Sequence, residues 1–341
     1  MDLALSDEQE QLVDSFGDLF TKQAAPERVR EAEPLGHDEA LWATLVATGT
    51  TAMAVPEPAG GWGASLLDLA LVAELAGRSL APAPLIETQV AARLLAATGT
   101  AEATALLDRT LAGSAITTIA VRPSRGGALT LVPGGAVAET VLALDGDRLV
   151  AVPAAAQAPR PVANLGSQPL ADLAVTDDAV VLVAGDGARA AFDAAIDEWL
   201  VLTAAALVGM GSRAIEIAAE YVTERRAWGV PIGTFQGVSH PIADSATALD
   251  GARLLVHKAA WAADTGDARA AELAAMAFAF ASETANDATY HAVHVHCGYG
   301  FMLEYDVQLF YRRARGWARV WGEPRAAHRR AAARRYRGGD V

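Results

Sequence analysis

Glu224-Arg225-Arg226-Ala227-Trp228-Gly229-Val230-Pro231-Ile232-Gly233-Thr234-Phe235-Gln236 separates two long alanine-rich segments of this 341-residue chain. The flanking segments, 188–224 and 239–264, carry apolar residues at helical spacing. A third such segment, 269–297, follows the Thr265-Gly266-Asp267 break, and a last helix is expected from about Glu304. Four long helices with short links predict an antiparallel four-helix bundle over 187–341.

Upstream the texture changes. Ala115 to Val121, Ala128 to Val132, Val137 to Leu144 and Arg148 to Val152 are rich in Val, Ile, Leu and Thr. Asp145-Gly146-Asp147 reads as a hairpin turn between the last two. Residues 109–186 are therefore expected to form a small antiparallel β-barrel or sandwich. Residues 1–108 read as helices again. Ser6 is placed as an N-cap with Gln9 at the capping-box position, ahead of Leu12, Phe16, Leu19 and Phe20. Leu41 to Leu45 continues the helical pattern, Val55 to Ser65 breaks it, and Leu66 to Leu80 resumes it. The whole predicts a mainly α fold with a small β domain in the middle.

Hydrophobic residues make up 52% and charged residues 20%, which excludes a disordered chain. A net charge of −14 argues against general nucleic-acid binding. The single cysteine, Cys297, permits no internal disulfide and fits a reducing, cytoplasmic setting. No apolar run reads as a membrane span, and the acidic N-terminus lacks a signal peptide's pattern. The segment from Arg312 to Arg337 is strongly basic. It reads as a solvated or acid-docking helix face, with CoA phosphates as a second reading. His294 and His296 stand at i, i+2 on a helix and share no face, so no metal site is expected.

Several motifs resemble those of acyl-CoA dehydrogenases. The opening stretch is similar to that family's "ERxQFGxPIGxFQ". Val55-Pro56-Glu57-Pro58-Ala59-Gly60-Gly61-Trp62-Gly63 resembles "VPEeyGGxG", and Glu74 to Pro82 resembles "ELGRxLAP". Cys297-Gly298-Tyr299-Gly300-Phe301 and Arg312-Arg313-Ala314-Arg315 resemble the C-terminal signature. The likeness covers nearly the whole chain. It extends to short actinobacterial members that form heteromeric (α2β2) steroid-CoA dehydrogenases.

This resemblance implies FAD as cofactor, α,β-desaturation of an acyl-CoA thioester, and electron-transfer flavoprotein as acceptor. Such chemistry needs a base for the α-proton, donors to the thioester carbonyl, and a flavin that takes a hydride. The resemblance assigns Arg225, Trp228, Gln236 and Gly298 to FAD shared with a neighbouring subunit. Their chemistry suits it: guanidinium pairs with phosphate, indole stacks on adenine, carboxamide donates and accepts. On the residues alone, the same group also reads as a helix end with a buried Trp and a surface Arg.

Two family elements are missing. Where a "TEPxAGSD" loop should meet the chain's own flavin, the sequence reads Val121-Arg122-Pro123-Ser124-Arg125-Gly126-Gly127-Ala128. Where "YEGT" should supply a glutamate base, counting lands on Trp321, with Glu323 two residues late. A minority of the family takes its base from the first bundle helix, and there counting lands on Trp199, with Glu198 adjacent. Indole nitrogen donates and accepts nothing. Glu198 and Glu323 are thus the candidate bases, Glu198 reading equally as a solvated acid in a helix's first turn.

The pattern leads to a non-catalytic subunit that completes the FAD site of a homologous partner in a heterotetramer. Two alternatives stay open: a complete homomeric dehydrogenase using Glu198 or Glu323, and a non-enzymatic protein that kept the fold. Ala204, Ala205, Ala206 and Gly209 read either as room for a bulky polycyclic acyl group or as close helix packing.

Overall fold

The computed structural model describes residues 4–336; Arg337, the end of the basic segment, and Met1 to Leu3 lie outside them. Helices come first: α1 (Asp7–Gln23), α2 (Pro26–Glu31), α3 (Glu39–Ala47), α4 (Leu66–Arg78), α5 (Leu85–Thr98) and α6 (Ala101–Leu111). Six strands follow: β1 (Thr117–Ile119), β2 (Ala128–Val132), β3 (Thr140–Asp145), β4 (Arg148–Pro153), β5 (Ala171–Ala174) and β6 (Val180–Ala184). Then come α7 (Asp186–Glu224), the short strands β7 (Arg226–Ala227) and β8 (Val230–Pro231), α8 (Gln236–Asp264), α9 (Ala270–His296), α10 (Val307–Arg319) and α11 (Pro324–Tyr336).

The chain packs into two compact units. One holds residues up to Pro26, Ala70–Ala81 and Val201 onward; the other holds Glu27–Leu69 and Pro82–Leu200.

The second unit contains β1 to β6. β1, β3, β4 and β6 form one sheet in that order, and β2 pairs with β5 in another. The expectation of a wholly antiparallel domain needs one correction, because β1 runs parallel to β3, with Thr117 opposite Thr140. Strand β2 crosses to the second sheet, so β1 and β3 are not hairpin neighbours and are free to align. Asp145 pairs with Arg148 across the two-residue Gly146-Asp147 turn, as the hairpin signal requires. β3 is buried along nearly its whole length, and Val141, Ala143, Val150, Val152, Leu129 and Leu173 fill the core of the two sheets. Helix α5 packs on β1 and α6, and a Thr110–Thr117 hydroxyl bond of 2.7 Å ties α6 to β1.

The other unit is helical apart from the short β7–β8 pair. Ser6 caps α1 in a full capping box: its side chain accepts from the Gln9 amide, and the Gln9 side chain accepts from the Ser6 amide, both at 3.2 Å. Helices α4 and α7 cross at two glycines. A Cβ on Gly77 would lie 2.0 Å from the Ala206 carbonyl oxygen, and one on Gly209 would lie 2.0 Å from that of Glu74. Only glycine allows that backbone approach. Ala204, Ala205 and Ala206 are fully packed around it, so this stretch serves helix contact and leaves no room for a ligand. Arg78 pairs with Glu216 at 2.5 Å and Arg253 with Glu74 at 2.8 Å, carrying the "ELGR"-like segment onto α7 and α8.

Ile215, Leu249 and Ala288 join α7, α8 and α9 in one apolar contact. The fourth bundle member departs from the single helix expected from Glu304. It starts at Val307 and breaks after Arg319, and α11 restarts at Pro324. Proline has no amide proton to continue a helix and suits a first position. Both pieces pack on α9. Glu272 of α9 secures α11 through Arg335 at 2.9 Å, and also holds Arg269 at 3.0 Å. These guanidinium bonds hold the Glu272 carboxyl down to about 2. Among the described residues, α7 is the helix long and apolar enough to cross a membrane, and 78% of its most apolar window is buried.

Candidate functional site

The stretch 224–236 folds as a miniature hairpin. β7 and β8 pair, and the two residues between them, Trp228 and Gly229, have φ of 50° and 83°. A two-residue turn with both angles positive matches the natural twist of the strands. At Trp228 that backbone is strained, because only glycine adopts it freely. The consequence is that the indole is thrown outward and stands 91% exposed, touching Phe235 edge-on at 5.9 Å. The reading of a buried Trp at a helix end is therefore overturned. Arg225 continues from α7 through its amide bond to the Tyr221 carbonyl, 2.9 Å, and is exposed. Gln236 opens α8 and is exposed. Arg225, Trp228 and Gln236 thus share one surface-facing segment.

Gly298 lies at the end of α9 in a short 3-10 turn, Cys297–Phe301. Nothing approaches within 4 Å of where its Cβ would be, so its backbone is open to an outside group. Cys297, at the place of an expected glycine, takes φ 54° and ψ −134°, a region that belongs to glycine. Beyond it, Phe301 and Leu303 are more than two-thirds exposed. No group of three or more His, Cys, Asp or Glu suited to a metal occurs among the described residues, His294 and His296 included.

The candidate bases lie in different compact units, and each is held by an arginine. Glu198 sits in the fourth turn of α7, not its first, and accepts from Arg93 Nε at 3.0 Å. Arg93 also reaches the Ala54 carbonyl at 3.4 Å. The pair edges a pocket of about 260 Å³ whose other walls include Ala54, Ala97, Ala191 and Ala194. Glu323 lies in the break between α10 and α11, exposed and paired with Arg319.

Both tryptophans at the base positions pack as hydrophobes. Trp321 meets Phe278 edge-on at 5.6 Å. Trp199 is 1% exposed and donates its Nε1 proton to Glu87 at 3.3 Å. Glu87 is itself only 9% exposed, and burial pushes its carboxyl above the ordinary glutamate range, against its own backbone bond and the indole bond. Sequence reasoning missed Glu87. The available signal was an acid beside Thr88 and Gln89 inside an otherwise apolar helix.

The turn where a flavin-ring loop was expected is occupied with its own sheet. Arg122 donates to the Thr130 carbonyl at 2.9 Å, Ser124 bonds Asp145, and Arg125 bridges to Ala128.

A model of the acyl-CoA dehydrogenase N-terminal domain matches residues 6–114, and one of the acyl-CoA dehydrogenase C-terminal domain matches 185–336. Acyl-CoA dehydrogenase IpdE2 of Mycolicibacterium smegmatis is 33% identical over 329 residues, covering 96% of this chain and 98% of that protein. Benzylmalonyl-CoA dehydrogenase of Aromatoleum aromaticum is 29% identical over 357 residues, covering 92% and 94%. Among solved structures, the ChsE4–ChsE5 complex from Mycobacterium tuberculosis superposes with a TM-score of 0.90 at 25% identity, covering 100% of both chains. A variant of the Tcur3481–Tcur3483 steroid ACAD superposes at 0.86 with 27% identity, covering 97% and 98%.

Proposed function

Because this chain belongs to the acyl-CoA dehydrogenase family, we propose that it is the non-catalytic subunit of a heteromeric FAD-dependent acyl-CoA dehydrogenase. In this reading it completes the FAD site of a homologous catalytic subunit, in a heterotetramer that desaturates an acyl-CoA thioester. A steroid-derived acyl group is supported by the likeness to a steroid ACAD, and a homologous partner by the likeness to a two-protein complex. Electron-transfer flavoprotein is the acceptor and the cytoplasm the setting. The functional segments divide at 108/109 and 186/187.

The observation that carries the reading is the hairpin tip. Strain is spent on turning Trp228 away from its own subunit, which suits a ligand held by a neighbour. The residues fit the half of an FAD site that a neighbour offers. Arg225 would pair with the pyrophosphate, Trp228 would cover the adenine, Gln236 would hydrogen-bond nearby, and the open Gly298 backbone would admit a phosphate oxygen. They do not fit the half that a subunit offers its own flavin, since the Arg122–Ala128 turn has its polar groups engaged at home. When bound, FAD supplies the hydride acceptor, and the α-proton base comes from the partner. Exposed Phe301 and Leu303 suit a surface covered on assembly.

One observation favours a self-sufficient enzyme: Glu198 stands at the edge of the alanine-walled pocket. Its ion pair with Arg93 speaks against a free base.

Co-expression with a homologue encoded nearby tests the proposal. A yellow complex is expected, with the lone chain colourless and inactive. Trp228→Ala and Arg225→Ala in this chain should each strip FAD from the complex while leaving the chain's folding intact. Stoichiometric FAD and turnover by the lone chain would refute it.

A further inference from the structure

The two segments assigned to the neighbour's FAD, the hairpin after α7 and the turn after α9, meet at one aromatic joint. His296, the last residue of α9, is 2% exposed and stacks on Tyr221 of α7, with centroids 4.1 Å apart and planes within 22°. Its Nδ1 lies 2.7 Å from the Ala292 carbonyl oxygen, which only a protonated nitrogen can satisfy, so the ring carries its proton there. Tyr305 meets the ring edge-on at 6.3 Å, and Tyr305 in turn meets Tyr299 at 5.4 Å.

Each member of the stack controls one of the segments through its own backbone. Tyr221 accepts the Arg225 amide proton, so its position fixes where α7 ends and the hairpin begins. His296 directly precedes Cys297, whose left-handed backbone persists only where its surroundings over-determine it. The turn is also pressed from below, since a Cβ on Gly300 would lie 2.5 Å from the Val293 carbonyl oxygen. The ring of His296 is thus the side-chain link through which the strained turn is referred to the end of α7.

We propose that His296 is a positioning residue whose stack on Tyr221 sets the Cys297–Phe301 turn and the Arg225–Trp228 hairpin in register with each other. The inference rests on the reading that both segments serve one FAD, and it adds the group that aligns them. His296 touches no cofactor in this scheme. What matters is the flat aromatic face, and the bond to Ala292 only orients it.

The test is hydrogen exchange on the purified full chain with any partner that co-purifies. His296→Ala should speed amide exchange about tenfold in both 225–231 and 297–303, whereas His296→Phe, which keeps the face, should leave both near wild type. Faster exchange confined to 297–303 overturns the proposal. If His296→Ala does not fold, Tyr221→Leu removes the stack from the other side and carries the same two-segment test. In the FAD-loaded complex, His296→Ala should release FAD roughly tenfold faster and His296→Phe at the wild-type rate. Unchanged release by His296→Ala overturns the proposal. A wild-type complex that holds no FAD instead defeats the functional reading, and the exchange data still decide the joint.

Discussion

Trp199→Phe asks what the indole does for a buried acid 112 positions away in sequence. The substitution removes the Nε1–H donor from a carboxyl group that is 9% exposed. Leaving a buried polar group short of a partner costs about 1–3 kcal/mol. The missing ring volume, roughly 40 Å³ at about 24 cal/mol per Å³, adds about 1 kcal/mol. The expected loss is therefore about 2–4 kcal/mol, or about a 1 M fall in urea midpoint for a slope near 3 kcal/mol/M. The loss should also depend on pH. Glu87 is raised above 4.5 in the folded chain, so the fold keeps a proton that the unfolded chain has lost. Its contribution is whole below 4.5 and falls as pH rises through the folded value. Removing the indole bond raises that value further, so the gap between variant and wild type should widen once pH climbs past the wild-type folded value, where only the wild-type carboxyl ionises. Glu87→Gln should abolish this pH dependence, while its carboxamide oxygen still accepts from the indole, so Trp199→Phe should cost about 2–4 kcal/mol there at either pH. Urea unfolding of the four proteins at pH 5 and pH 8 measures it. Equal losses at both pH values with Glu87 in place, or the same pH dependence in the Glu87→Gln background, would refute the argument that Trp199 acts through the carboxyl.

Glu272→Gln should free α11, seen as faster tryptic cleavage at Arg334 and Arg335 near neutral pH. The wild-type contribution, on the order of 1 kcal/mol with such exposed arginines, is present above 4.5 and lost as pH falls through about 2, so the two proteins should converge in acid. Gly209→Ala drives a methyl into the Glu74 carbonyl and should lower stability by about 2–3 kcal/mol, read as a lower urea midpoint with an unchanged slope; a neutral result would mean the helices separate freely. Glu198→Gln and Glu323→Gln in the reconstituted complex should each leave turnover within about twofold, since each carboxylate is already held by an arginine of its own chain, Arg93 and Arg319. A hundredfold fall for either would restore it as a base.

Elements whose signals are local were legible. The helices of 188–224 and 269–297, the Ser6 cap and the Gly146-Asp147 turn are each written within a few residues, and the structure carries them. Strands β5 and β6 went unread because they are short, and Asp172 and the Thr176–Ala179 turn interrupt their apolar runs. The parallel pairing of β1 with β3 depends on where β2 goes, which no local pattern encodes. The break before α11 was foreseeable from Pro324 and was overlooked against the strong basic pattern. At the site, the motif picks out Arg225, Trp228 and Gln236, whereas residue type alone leaves Trp228 readable as buried, because its exposure follows from two consecutive positive φ angles. Glu87 and Arg93 stayed hidden because their partners, Trp199 and Glu198, lie more than a hundred residues downstream.

The hairpin tip also gives the chain a built-in optical reporter. Trp228 stands almost wholly in water, while Trp199 is sealed among apolar side chains. Solvent relaxation around the first should place its emission at long wavelength, and the second should emit further to the blue. The chain has seven tryptophans, and a Trp228→Phe protein isolates the Trp228 contribution from the other six by difference. Covering the tip, by a partner or by a stacked base, should shift or quench the Trp228 contribution obtained by that difference. Assembly could then be followed without a label, at concentrations set by the fluorimeter and not by the yellow of a flavin.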